Sequence, residues 1–187
     1  MLPKKQLRIK ETKTEIMKFN FCSSLEFPPE LKIDGFKENV QVTTEAKLLG
    51  VIVTDNLKWE ANTQYICAKA YKRMWILRRM KRLNVEPYII LDVYTKEIRS
   101  VLEFAVPAWH SGLTKKQSAT IERVQKVAVS IRLSDHMTGL TQYSYDTALV
   151  ILDIDPLEVR RFKLCRKFAS QDMLIYLELI KTSITQG

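Results

Sequence analysis

The spacing of apolar and polar side chains changes part-way along the chain. Residues 14–21 and part of 30–43 alternate with a period of two, which is typical of strands with one buried face. The run 46–53 is almost continuously apolar and predicts a buried strand that Gly50 interrupts. Because the pair Asp34-Gly35 is a hairpin turn signal, we expect these segments to form a small antiparallel sheet.

Beyond residue 56, apolar side chains recur three and four residues apart, which predicts helices. The first helix is expected over residues 59–83. Its apolar stripe consists of Ile66, Cys67, Ala70, Met74 and Leu77. The fold class predicted is therefore α+β, with a sheet in residues 1–56 and an all-helical bundle in residues 57–187.

Three further helices have recognisable start signals. Pro87 suits the first turn of a helix, where its missing N–H is not needed. Thr114 and Gln117 have the spacing of a capping box. The stretch 155–158 combines a capping Asp, a first-turn Pro and a Glu, and it predicts the start of a long final helix. A short helix through Ala148 to Leu152 is expected before it.

Composition favours a polyanionic partner. The 187 residues are 46% hydrophobic, enough to bury a core, and their net charge is +9. This excess of cations makes nucleic acid the first candidate partner and an anionic membrane the second. We expect no membrane span, because no run approaches about 18 apolar residues.

The same composition predicts an intracellular protein, nuclear or cytoplasmic and not secreted. The basic N-terminal residues lead into further charge and not into the apolar segment of a signal peptide. Cys22, Cys67 and Cys165 are odd in number and far apart, which indicates neither a disulfide framework nor a zinc ligand set.

Most of the positive charge is concentrated on the first predicted helix, with eight cations between Lys58 and Arg82 against the single Glu60. At about 100° per residue, one arc of this helix faces away from the apolar stripe. It carries Lys69, Lys72, Arg78, Arg79 and Arg82, with Trp75 in its middle and Tyr71 beside it. Such a surface suits a phosphate backbone with a sugar or base to pack on. A solvated face whose Trp75 covers a neighbouring element explains the same pattern.

Catalytic residues are not apparent. Metal-dependent phosphoryl transfer needs converging carboxylates, and the chain has no Asp-Asp pair. Asp153 and Asp155 are two residues apart, but the following Pro156 favours a loop and helix cap. Neither His110 nor His136 lies near a glycine-framed serine or an activated cysteine. We therefore expect a binding protein without catalytic residues, metal or cofactor.

Several blocks in a fixed order resemble reverse transcriptases of non-LTR retrotransposons, of the LINE type and jockey-like or chicken-repeat-like. The similarity spans residues 7–168 and covers the end of the palm, the primer-grip strand and the thumb. The blocks are Lys47-Leu-Leu-Gly-Val51, Asp55-Asn-Leu-Lys-Trp59, Arg78-Arg79, Ile98-Arg99 through Pro107-Ala-Trp109, Ile121-Glu-Arg-Val-Gln-Lys126, Ala148-Leu149 and Leu157 with Arg160-Arg161.

The resemblance implies a role for two groups of residues. Leu48, Leu49, Gly50 and Val51 correspond to the primer grip, where a glycine lets the backbone approach a ligand; a bulge in a small sheet is the structural alternative. The thumb would lie against an RNA/DNA template–primer duplex and contact sugar and phosphate without reading bases. The implied contacts are Lys69, Tyr71, Lys72, Arg73, Trp75, Arg78, Arg79, Arg82 and Lys126.

The chain also departs from the family pattern. The family's catalytic Asp pair would precede residue 1, so Mg²⁺ and polymerase activity are expected only in an intact member. Glu11 and Ser100 replace an expected lysine and proline, Val127 replaces a cation, and Asp153 replaces a helix-ending glycine.

We therefore expect a fragment of an RNA-directed DNA polymerase that retains duplex binding, with the missing palm and fingers of an intact copy as a second kind of partner. The alternative is a self-standing basic helical module that binds nucleic acid or another protein.

Overall fold

A computed structural model of the chain describes residues 14–19, 30–31, 40–133 and 144–185. It is α+β, with short strands first and helices afterwards, as the sequence predicts. The chain divides into two compact units, residues 1–61 and 62–187, close to the boundary expected at residue 56. No described helix is long and apolar enough to cross a membrane.

The strands of the first unit form a mixed sheet and a separate hairpin. Their bounds are β1 Ile16–Met17, β2 Glu30–Leu31, β3 Val40–Thr43, β4 Glu45–Leu48 and β5 Val51–Thr54. The sheet has the order β1-β3-β2, and β1 runs parallel to β3 while β2 runs antiparallel to it. The prediction of a purely antiparallel sheet is therefore wrong at β1. A parallel pair needs a long connection, and the connection from β1 to β3 contains β2.

The apolar run 46–53 is a hairpin and not one strand. Leu48 lies opposite Val51, so Leu49 and Gly50 form a two-residue turn between β4 and β5. Their φ angles of 47° and 92° are both left-handed, as a type I′ turn requires. Gly50 therefore closes a turn and does not form a bulge. The turn expected at Asp34-Gly35 lies outside the described residues.

The second unit is built from helices, and α1 begins just before it. Their bounds are α1 Glu60–Arg82, α2 Pro87–Val93, a π-helical segment Tyr94–Arg99, α3 Ser100–Glu103, α4 Val106–Trp109, a 3₁₀ turn His110–Gly112, α5 Lys115–Leu133, α6 Tyr145–Ile151 and α7 Leu157–Thr185. Pro87 occupies the first turn of α2, as expected. From there to residue 103 the backbone stays helical, with the π segment in the middle.

The core of the second unit forms on the faces that periodicity predicts. Ile66, Cys67, Ala70, Met74 and Leu77 of α1 are all buried. Leu102, Val106, Trp109, Ile121 and Val124 on the following helices are also buried. Cys67 Sγ lies 4.0 Å from the carbonyl oxygen of Thr120, so α1 packs beside α5. Burying each large side chain contributes about 1.5–3 kcal/mol, which makes this core the main stabilising term.

Two helix ends have the hydrogen bonds of known capping motifs. Thr114 N–H donates to Gln117 Oε1 at 2.8 Å, and Gln117 N–H donates to Thr114 Oγ1 at 3.2 Å, which confirms the capping box. At the end of α6, Asp153 has a left-handed φ of 50°. Its N–H donates to Val150, and Ile154 N–H donates to Leu149, which is a Schellman motif.

The start of α7 differs from the prediction. The Asp155 carboxylate accepts from Lys163 Nζ at 2.6 Å and does not cap the helix. The carbonyl of Pro156 accepts from Arg160 N–H, so Pro156 comes just before the first helical residue, Leu157.

Candidate nucleic-acid interface

One side of α1 is basic and open to solvent. Lys69, Lys72, Arg78, Arg79 and Arg82 are exposed opposite the buried stripe, where periodicity places them. Trp75 lies in the middle of this side with 63% of its surface exposed, and Tyr71 is 37% exposed. We call these seven residues the basic face of α1. An exposed indole among cations offers both charge and a flat apolar surface.

The cations of the basic face have no acidic partner among the described residues. The ion pairs found in that part of the chain use other cations. Arg79 and Arg82 in the last turn complement the helix dipole, which accounts for part of the charge. Arg78 and Arg82, however, are like charges four residues apart, which costs a free helix about 0.2–0.5 kcal/mol. A bound polyanion would remove this repulsion.

Arg73 does not belong to the basic face. Its Nη1 donates to the carbonyl oxygen of Glu97 and lies 3.4 Å from the carboxylate of the same residue. The side chain is about one-third exposed. Arg73 therefore fastens α1 to the π-helical segment, which is a structural role that the sequence did not indicate.

Lys126 is also separate from the basic face. It is exposed on α5, and its Nζ lies 4.8 Å from the centroid of the Tyr145 ring. This cation–π contact connects α5 with α6. The lysine therefore has a structural contact of its own, and the structure gives it none with α1.

The residues expected at a primer grip lie in the first unit, at the tip of the β4–β5 hairpin. Leu49 is 88% exposed and Leu48 is also exposed, whereas Val51 is buried. Leu49 has a left-handed backbone, which is strained for a leucine. The hairpin tip therefore presents two leucines to solvent.

Glu122, Gln125 and Arg161, which belong to the blocks that carry the resemblance, lie in a buried polar region with residues outside those blocks. Gln125 is fully buried, and its Oε1 accepts from the Tyr94 hydroxyl at 2.6 Å. Its Nε2 donates to the Tyr145 hydroxyl and to the carbonyl of Asp155, both at 3.0 Å. Burial raises the pKa of both tyrosines, so they stay protonated and able to donate.

Glu122 and Arg161 extend this buried region. Glu122 Oε1 accepts from the Tyr145 hydroxyl and from Leu157 N–H, the latter at 3.2 Å. Arg161 is almost completely buried, and its Nη2 donates to Ser118 Oγ at 2.5 Å. Burial lowers the pKa of its guanidinium, the expected effect of removing a charge from water. Glu122, Gln125 and Arg161 therefore connect helices within the second unit.

The described residues contain no group of three His, Cys, Asp or Glu side chains that could hold a metal ion. Burial raises the pKa of the Cys67 thiol to about 11, which makes it a poor nucleophile at neutral pH. His110 is half-buried, and its Nδ1 has no hydrogen-bond partner in the described part of the chain.

Comparison with known proteins gives no relative. No protein-family model, no curated protein and no solved structure matches this chain.

Proposed function

We propose that this chain is the C-terminal palm and thumb part of a non-LTR retrotransposon reverse transcriptase. In this role it has no polymerase activity of its own, since the chain has no Asp-Asp pair. Its function is to bind a template–primer duplex through the basic face of α1. Mg²⁺ belongs to the catalytic carboxylates of an intact family member.

The basic face of α1 carries the proposal. It has five exposed cations, and none of them has an acidic partner among the described residues. Trp75 is exposed between them. Cations that contact phosphates release condensed counterions, which gives affinity without sequence preference. That is the behaviour required of a thumb, which must hold any sequence that passes.

A salt titration tests the proposal. We expect the purified chain to bind an RNA/DNA hybrid duplex, with the logarithm of the association constant falling linearly with the logarithm of salt concentration. The double variant Lys72→Glu, Arg79→Glu should lose this binding. The matched control Arg166→Glu, Lys167→Glu makes the same charge change at exposed positions on α7 and should retain it.

Equal loss in the two double variants would show that only net charge matters and would refute an interface on α1. Unchanged binding in the α1 variant would refute it as well.

The family assignment has its own test. The genomic DNA upstream of the coding sequence should encode a Tyr-x-Asp-Asp motif in one frame. Unrelated sequence there would contradict the reverse-transcriptase origin while leaving duplex binding open.

A protein-interaction module is the second candidate function. The observation in its favour is the exposed Trp75, since tryptophan and arginine are frequent at the centres of protein interfaces. Sedimentation without nucleic acid distinguishes the two. A dimer that Trp75→Ala dissociates, in a chain that ignores duplex, would favour this candidate.

A further inference from the structure

The helical unit has a second surface feature, a cleft between the π-helical segment and the corner that joins α6 to α7. Its volume is about 410 Å³, within the range of about 300–1,000 Å³ that is usual for small-molecule sites. The side chains that matter here are Tyr88, Asp92, Arg99, Asp153, Asp155 and Arg160, which all line it.

Two guanidinium groups in this cleft share one carboxylate. Arg160 holds Glu103 with two hydrogen bonds, from Nε to Oε1 and from Nη2 to Oε2, the second at 3.0 Å. Arg99 Nε lies 3.6 Å from Glu103 Oε1, too far for a hydrogen bond. Arg99 Nε is buried and donates no hydrogen bond within the described residues. These three side chains together carry a net charge of +1, and Arg99 has the weaker of the two contacts with Glu103.

The acidic residues of the cleft differ in whether they form an ion pair. Asp92 is paired with Lys96 at 2.8 Å, and Asp155 with Lys163 at 2.6 Å. Asp153 has no cation within ion-pair distance in the described part of the chain. The cleft thus contains a guanidinium, Arg99, whose Nε has an ion-pair contact with Glu103 but no hydrogen-bond acceptor among the described residues. It also contains a carboxylate, Asp153, that has no paired cation there.

Two observations bear on these groups. Burial, followed by the neighbouring Arg160, lowers the pKa of Arg99, while Glu103, Tyr94 and Asp155 act in the opposite direction. Asp153 occupies a left-handed position where glycine is preferred, so the backbone does not require its side chain.

An aromatic ring completes the cleft. Tyr88 on α2 contributes to its lining and is 69% exposed. A ring this exposed contributes little to the core and offers a flat face to a ligand. A nucleobase can stack on such a ring whichever base it is, because every base has a flat π face.

We propose that this cleft binds a single nucleotide. The phosphate pairs with the guanidinium of Arg99, the base stacks on Tyr88, and an exocyclic amino group of the base donates to the carboxylate of Asp153. That the nucleotide comes from a nucleic acid rests on the proposed function. Recognition of a free nucleotide does not, because none of these residues belongs to the basic face of α1.

Calorimetric titration of the full chain with AMP tests the site. We expect AMP to bind more tightly than adenosine, which lacks the phosphate, and more tightly than inorganic phosphate, which lacks the base. Arg99→Gln and Tyr88→Ala should each weaken AMP binding roughly 10-fold or more, since each removes a charge-assisted bond or a stacking surface. Tyr88→Ala changes an exposed side chain and should leave folding intact, as circular dichroism would verify.

Two further measurements distinguish a nucleotide site in this cleft from nonspecific attraction of AMP to a basic protein. IMP lacks the amino group of AMP, so the native chain should prefer AMP, and Asp153→Gly should abolish that preference. The double variant Lys72→Glu, Arg79→Glu should still bind AMP although it loses duplex. The proposal is overturned if the native chain does not bind AMP, if Tyr88→Ala binds it unchanged, or if the α1 variant loses it.

Discussion

The hydroxyl of Tyr94 donates a 2.6 Å hydrogen bond to the side-chain oxygen of Gln125, and both residues are buried. Tyr94 opens the π-helical segment and Gln125 lies in the middle of α5. Through its amide nitrogen, Gln125 also reaches Tyr145 on α6 and the backbone just before α7. One side chain therefore joins four elements of the helical unit.

Replacing Gln125 should destabilise the helical unit strongly. In Gln125→Met, a substitution of similar volume, the Tyr94 hydroxyl loses its acceptor and the carbonyl of Asp155 loses a donor. Each unsatisfied buried group costs about 1–3 kcal/mol, so we expect a loss of about 2–4 kcal/mol in the free energy of unfolding. Urea denaturation followed by circular dichroism measures it.

A double-mutant cycle provides the control. Tyr94→Phe removes the donor, so Gln125→Met should cost less in that background than in the native chain. If the two substitutions are additive, the hydrogen bond between them does not contribute to stability.

Replacing a non-glycine residue that has a left-handed backbone by glycine should stabilise the protein. Ala105 joins α3 to α4 with a φ of 51°, where a Cβ is unfavourable by about 1–2 kcal/mol. Ala105→Gly should therefore raise the free energy of unfolding by about 0.5–1 kcal/mol after the entropy cost of glycine. Ala119→Gly at an exposed position inside α5 is the matched control and should lower it by about 1 kcal/mol. A loss in both variants would contradict the left-handed conformation at Ala105.

Much of the fold of the helical unit follows from periodicity, since burial of a stripe depends on spacing alone. Gln125 was missed as a structural residue, although a polar side chain at the core spacing of Ile121 and Ala128 is a usable signal. The β4–β5 hairpin was missed because Leu49 stands where such a turn usually has Asn or Gly. The parallel pairing of β1 with β3 depends on contacts distant in sequence, which a local pattern does not encode.

The part of the candidate interface that the sequence predicts is the set of exposed positions around the axis of α1. The exposed positions of α1 lie where a repeat of about 100° per residue places them. Arg73 lies at the edge of the apolar stripe, where angle alone does not decide between solvent and a neighbour. Its contact with Glu97 depends on the position of the π segment, and the contact of Lys126 with Tyr145 depends on α6.

His110 should make stability depend on pH in the mildly acidic range. Burial, followed by the charge of Arg161, lowers its pKa below the usual 6.5, while Glu158 acts in the opposite direction. As pH falls, the unfolded chain binds a proton at His110 before the folded chain does. The contribution of neutral His110 to the free energy of unfolding is therefore complete above about pH 6.5 and is lost progressively below it. The melting temperature should fall between pH 7.5 and 5.5, and by less in His110→Gln. Equal falls would show that other groups are responsible.

Cys67 should be protected from alkylation. Its thiol is buried and has a pKa of about 11, so little thiolate exists at pH 8. Iodoacetamide at pH 8 should modify Cys67 more slowly than the partly exposed Cys165, as peptide mass spectrometry would record. In urea at a concentration that unfolds the chain, both thiols are exposed, so the two rates of modification should become similar. Rapid modification of Cys67 in the native chain would contradict the packing of α1 against α5.

Trp75 and Lys72 should affect duplex binding in different ways, because only one of them carries charge. Trp75→Ala removes a stacking surface and should weaken binding roughly 10-fold while leaving the salt slope unchanged. Lys72→Ala removes one phosphate contact and should reduce the magnitude of that slope by about 1. Fluorescence anisotropy of a labelled duplex at several salt concentrations measures both quantities. Trp109, in contrast, is buried, and its Nε1 donates to the carbonyl of Phe104 at 2.9 Å, so its ring is not available for stacking on a duplex. A change in slope on Trp75→Ala would mean that the indole acts by positioning the cations around it and not by stacking.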